Sequence, residues 1–232
     1  VEYVPLENIS AGQSFWVESA TNNRPFKHTT DIDLVKDDTA MIQDPISSKF
    51  FIGGEDQVLM TKDVLRYNVE PEWWIISDED HNGVTGIPQS MAYSADGNHL
   101  FVGTIEGKLY RISNLRAAYD YDHADVNSPF SVVSTRELTI TEEGITQVIT
   151  SVAVDPNDPE TVLITLGNYG NDTYLYITNN ALDENPVWRS AQGNLPAMPA
   201  FSSVFEMDPG NNLVIAGTEY GIYITEIIDA SR

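Results

Sequence analysis

Cysteine is absent from the 232 residues, which excludes a disulfide framework and any zinc-thiolate centre. Basic residues are scarce: Lys and Arg total 12 against 35 Asp and Glu, a net charge of −23. Such a charge repels phosphate backbones and counts against a nucleic-acid partner. It suits a solvated surface in salty surroundings, cation binding or a basic partner. His28, His81, His99 and His123 are scattered without metal-ligand spacing. No apolar run approaches the ~20 residues of a membrane span, and no signal-peptide pattern opens the chain. The first residue is Val rather than Met, as in a processed form or a piece of something longer. Long amphipathic helical patterns are also lacking, and only 114–126 reads as a helical turn.

What is present is a repeat. Apolar residues, 41% of the chain, suffice for one sizeable all-β domain, and four segments of it share one grammar: 38–62, 89–113, 150–178 and 202–225. Each starts with a short alternating apolar run. A turn follows, opened by Asp44-Pro45, Asp96-Gly97, Asp155-Pro156 or Asp208-Pro209, dipeptides that favour tight turns. Next comes a continuous apolar run such as Leu100-Phe101-Val102 or Val162-Leu163-Ile164, ending at Gly53, Gly103, Gly167 or Gly217. An alternating strand closes the unit, as in Lys108-Leu109-Tyr110-Arg111-Ile112.

A fourth strand is readable in the spacers, at 72–76, 130–133 and 186–189. The terminal glycines lie 50, 64 and 50 residues apart, near the period of ~40–50 residues of a propeller blade. The fold expected is therefore all-β, a β-propeller of four-stranded blades, with blade motifs at 38–76, 89–138, 150–189 and 202–225. A β-sandwich is the alternative, but gives no reason for the same order of turn, strand and glycine four times. Apolar on both faces, the second strand of each copy should be buried between neighbouring blades.

The segment 13–18, with Trp16, resembles the Trp-bearing outer strands at Trp73-Trp74 and Trp188, whereas the fourth copy has no outer strand after it. Either a small ring is closed by 13–18 pairing with blade four, or four blades form part of a larger ring completed by further chain or another subunit. The second is the reading preferred, because small rings are rare, and an open blade edge seeks a partner.

The phrase Gly193-Asn194-Leu195-Pro196, Asp208-Pro209, Ala216-Gly217-Thr218 and Gly221-Ile222-Tyr223 resembles blades of the Asp-box or sortilin-like propellers. That group includes the photosystem II assembly-factor propellers, the xyloglucanases and secreted or surface repeat proteins of Bacteroidetes. The Asp-box itself is degenerate: Thr178-Asn179-Asn180 leading to Trp188 occupies its place without the family glycine. The resemblance implies a secreted, cell-surface or periplasmic bacterial location. It does not decide function, because the group spans enzymes, receptors and assembly factors.

Asp78, Asp80, Asn82 and Gly83 have the spacing of a calcium loop, with the backbone carbonyl of Val84 as a further ligand. Position twelve is Gln89 rather than Glu, so affinity would suit millimolar extracellular calcium. A second acidic stretch, 120–127, fits no ligand pattern, and Tyr119 and Tyr121 beside it are candidates for contact with a partner or sugar. A glycosidase needs two facing carboxylates; Asp38, Glu79 and Glu143 lie near strand starts without any signal that singles them out. The four Trp fall on outer strands, away from a substrate groove. The expectation is thus a non-catalytic scaffold that binds protein, or glycan, within a larger extracellular or envelope assembly. A glycoside hydrolase of xyloglucanase type is the alternative.

Overall fold

The computed structural model describes residues 49–54, 57–62, 70–94, 96–123, 129–206 and 213–226. The expected strands at 13–18 and at the start of the first copy, Asp38, and the Asp44-Pro45 and Asp208-Pro209 turns lie outside them. The described residues form four antiparallel sheets in which strands adjacent in sequence pair. Blade one contains β1 (Phe50–Gly54), β2 (Gln57–Thr61) and β3 (Trp74–Asp78). Blade two contains β4 (Pro88–Tyr93), β5 (His99–Thr104), β6 (Leu109–Ser113) and β7 (Ser134–Leu138). Blade three contains β8 (Ile149–Asp155), β9 (Asp158–Leu166), β10 (Leu175–Thr178) and β11 (Arg189–Ser190). Blade four contains β12 (Ala200–Phe205), β13 (Leu213–Thr218) and β14 (Gly221–Glu226).

The blades stack through their first strands. β8 packs against β4 on one side and β12 on the other. Successive antiparallel meanders side by side, two with four described strands and two with three, with β4, β8 and β12 adjacent, make this a β-propeller of which four blades are seen. The alternative of two facing sheets is overturned by this order.

Each described first strand carries a bulge at one equivalent place, opposite the end of the second strand. Pro88 and Ser90 pair with Thr104 and Gly103, which leaves Gln89 extra. Ile149 and Ser151 pair with Leu166 and Thr165, leaving Thr150 extra, and Ala200 and Ser202 pair with Thr218 and Gly217, leaving Phe201 extra. The bulge fixes register from one blade to the next.

Two apolar clusters fill the inter-blade space. One joins blades one and two through Val58, Met60, Trp74, Ile76, Val102 and Ile112. The other joins blades two, three and four through Phe101, Leu109, Ile149, Leu163, Phe205 and Val214. β5 and β9 are buried along most of their length on both faces, as expected of their unbroken apolar runs.

Several expected boundaries are corrected. The register places Thr165, not Gly167, opposite Ser151, in the position held by Gly103 in blade two and Gly217 in blade four. A Cβ on Gly103 would lie 2.4 Å from Cγ2 of Ile149. Blade four offers the smaller Ala200 at the place of Ile149, and Thr150 Oγ1 bridges Thr165 Oγ1 at 2.9 Å and the Ala200 carbonyl at 2.6 Å. Room for a threonine side chain follows from that exchange.

The outer strand expected at 130–133 is instead a 3-10 turn, Pro129–Ser131, held by the Val133 amide donating to the Pro129 carbonyl. The strand starts at Ser134. The outer strand of blade three shrinks to Arg189–Ser190, and that of blade one starts at Trp74 rather than Glu72. Residues 114–126 contribute a 3-10 helix, Leu115–Asp120.

Candidate functional site

The loop after β3 carries the residues expected to ligate calcium. Asp78 ends the strand and caps a 3-10 turn, Glu79–His81. Its Oδ1 accepts from the His81 amide at 2.9 Å and lies 2.6 Å from His81 Nδ1. Asn82 takes the left-handed conformation, φ 56°, a role asparagine tolerates well. Gly83 passes so close to Ser77 and Asp78 that a Cβ would sit 2.3 Å from Ser77 Oγ. Val84 is buried, and its amide donates to Ser77 Oγ at 2.8 Å. Each residue type in the Asp-x-Asp-x-Asn-Gly pattern except Asp80, which is exposed, therefore has a backbone requirement of its own. No group of three or more Asp, Glu, His or Cys is arranged for a metal among the described residues.

The other expected site residues are separated. Glu79 sits on that 3-10 turn and Glu143 in the connection between β7 and β8, both exposed. Tyr119 packs edge-on to Trp74 at 5.1 Å, and the Lys62 ammonium lies 4.9 Å from its ring. Trp74 is buried and its indole N–H donates to the Tyr121 carbonyl at 3.0 Å. These aromatics thus tie the long excursion of blade two onto blade one. Asn180 closes a turn: the Val187 amide donates to its Oδ1 at 2.9 Å, seven residues back, and the adjacent Trp188 packs partly buried against the cluster of blades two, three and four.

A cavity of about 220 Å³ opens beside Glu106, Lys108, Glu137, Ile140 and Ile145. Its charges are already engaged. Glu106 accepts from the Ile87 amide at 3.1 Å. Lys108 donates to Thr85 Oγ1 at 2.8 Å and stands 3.9 Å from Glu137. A hydrogen bond to Tyr110 holds the Lys108 ammonium above its ordinary value against the opposing effect of burial, with smaller help from Glu137 and Glu106.

The surface without such internal employment is at the two ends of the arc. Register equivalence makes this quantitative. Val58, Leu109, Leu175 and Ile222 occupy one position, each paired with the residue in the Gly103 slot. Val58 and Leu109 are 0% exposed and Leu175 5%, but Ile222 is 75%. On that forward face of blade four, Val204, Ile215 and Ile224 form a cross-strand row, with Val204 and Ile224 exposed.

The opposite end mirrors this. Phe50, Leu100, Val162 and Val214 are equivalent by the same register, and Phe50 is 46% exposed where Leu100 is 1%. Ile52, also exposed, begins a row that continues through Leu59 to Ile75 on this back face of blade one. Sequence reasoning expected a ring left open for further chain or another subunit and placed strands on these residues, but did not single out the side chains that stay uncovered.

No protein-family model matches the sequence, and no curated protein matches it. Among solved structures, the chain is similar to the β-propeller domain of Cps50 (Swd1) from Myceliophteria thermophila, with 14% identity and a TM-score of 0.49. That match covers 83% of this chain and 57% of that one. A chain of the mitotic checkpoint complex is similar at 13% identity and a TM-score of 0.47, over 79% of this chain and 48% of that one. The chain thus spans about half the length of either structure, and the fold assignment rests on the sheet order and register described above.

Proposed function

We propose that the protein is a non-catalytic β-propeller scaffold that enters a larger protein assembly through the end faces of its arc of blades. The observation that carries this is Ile222, 75% exposed at a position the other blades bury almost completely. An apolar sheet face of this kind favours association, because each aliphatic side chain removed from water contributes about 1.5–3 kcal/mol. The setting proposed is extracellular or in a bacterial cell envelope. Its support is the net charge of −23 and the resemblance of the fourth blade to Asp-box propellers. Under this reading, calcium on the loop of Asp78, Asp80, Asn82 and Val84 would stiffen that loop and take no part in chemistry, and glycan would be a secondary ligand.

A photo-activated cross-linking side chain placed at Ile222, at Phe50 and, as a control, at Tyr169 tests the proposal in the producing cell. Tyr169 is exposed on the loop between β9 and β10. Protein adducts are expected from the two end faces and not from Tyr169. Adducts of equal yield at all three positions, or none at the end faces, would remove the scaffold reading.

A further inference from the structure

Resting on that reading, we infer that the partner is a second copy of the chain, docked head to tail. The forward face of blade four in one copy covers the back face of blade one in the other, and the reciprocal contact closes a ring of eight blades.

The docking surface continues a boundary already formed twice within the chain, each time with a first-strand serine at its seam. At the boundary of blades two and three, Ser90 Oγ donates to the Ile149 carbonyl at 3.1 Å, and the absence of a Cβ on Gly103 admits the Ile149 side chain. At the boundary of blades three and four, Ser151 Oγ accepts from the Ser203 amide at 3.2 Å. The third serine of the series, Ser202, occupies the same register position opposite Gly217. It is exposed, and the nearest atom to a Cβ on Gly217 would be that blade's own Ser202 Oγ. Blade four therefore repeats the glycine slot and serine hydroxyl of blade two, with the apolar row of Val204, Ile215 and Ile224 beside them.

The matching surface is on the same chain. Phe50, Ile52, Leu59 and Ile75 form the face that, in blades two and three, lies against the preceding blade. A heterologous contact between these two faces either closes a ring or propagates as a filament. Two arcs of four blades reach the upper end of the usual range of four to eight blades. The −23 charge of each copy opposes the union, so salt screening strengthens it.

Sedimentation velocity and native mass spectrometry of the full chain at micromolar concentration test this. A dimer is expected that tightens as salt is raised. Ile222→Asp and Ile52→Asp, on opposite faces, should each weaken it by about tenfold or more, with the unfolding midpoint unchanged at dilutions where the parent is monomeric, because both side chains are exposed in the monomer. Mixing the two variants should restore partial dimerisation, because one pairing of intact faces survives in the mixed dimer. A strictly monomeric chain, or a dimer insensitive to Ile52→Asp, overturns the inference. So does a mixture with no recovery. Cross-links from Ile222 into residues 1–48 of the same chain would assign the face to that segment and overturn it as well. Cross-links to a different protein would overturn the inference but leave the scaffold function standing.

Discussion

Arg111 Nη1, on the third strand of blade two, donates to the Ala181 carbonyl at 2.6 Å and to the Asp183 carbonyl at 2.9 Å. One guanidinium thus holds the β10–β11 loop of blade three against its neighbour. Arg136 on β7 adds a second tie, to the carbonyl and carboxylate of Glu184.

Arg111→Ala should lower stability by about 1.5–3 kcal/mol, the usual cost of losing hydrogen bonds from a charged donor. Arg111→Lys should recover less than half of it, because a compact ammonium on a shorter reach cannot serve both carbonyls as the guanidinium does. Urea unfolding of the three proteins checks the order. Equal stability of the lysine variant and the parent would show that charge alone matters.

Gly103→Ala should cost about 1–3 kcal/mol by forcing a methyl group against Ile149. Ile149→Ala alone removes core packing and costs about 2–5 kcal/mol. The double variant should lose less than the sum, since the two residues meet. Gly217→Ala should be milder, because the nearest obstacle is a serine hydroxyl that can rotate away. A denaturant series on the four variants gives the coupling; strict additivity would place the two residues apart.

Asp78→Ala should destabilise by about 1 kcal/mol in chelator through loss of the turn cap, and by more in millimolar calcium, where the loop loses a ligand for the cation as well. Thermal unfolding in both buffers measures it. Equal losses in the two buffers would remove the cation from the loop.

Burial first and Arg116 second push Lys49 down to about 8, against the pull of Asp96. The lowered value means that the unfolded chain binds the proton more tightly. The penalty of burying the ammonium is then full below about pH 8 and is relieved as pH rises towards 10.5. The stability of the parent relative to Lys49→Met should therefore rise across that window, read from denaturant midpoints. Comparison with the variant is needed because the growing negative charge acts in the opposite direction on both proteins. A flat difference would indicate an ammonium that stays in water.

The central part of each blade was legible because its strands are constrained on both sides. The run Val162-Leu163-Ile164 is apolar throughout since blades two and four cover its two faces, and Asp155-Pro156-Asn157-Asp158 could only be a tight turn. Outer strands were less legible. β7 buries one of its five residues, so its alternation is barely enforced, and the apolar stretch at 130–133 imitated a strand while serving a turn. Gly167 misled for a related reason: the slot it was assigned to depends on the bulk of Ala200 in the neighbouring blade, not on the local run. That an end of the blade series would lie open was readable from the missing outer strand after the fourth copy, but which side chains would stay uncovered was not. A strand that meets the next blade and one that does not are spelled alike.

The unequal covering of the blades also sets where the molecule opens. In a linear array each unit is held by its own contacts plus those with its immediate neighbours. Among the described residues of a single copy, blade three is clasped from both sides and blade four from one only. In the undocked monomer, amide protons of β9 should then exchange with solvent slowest and those of β14 among the fastest, so that fraying begins at the last described blade and works inward.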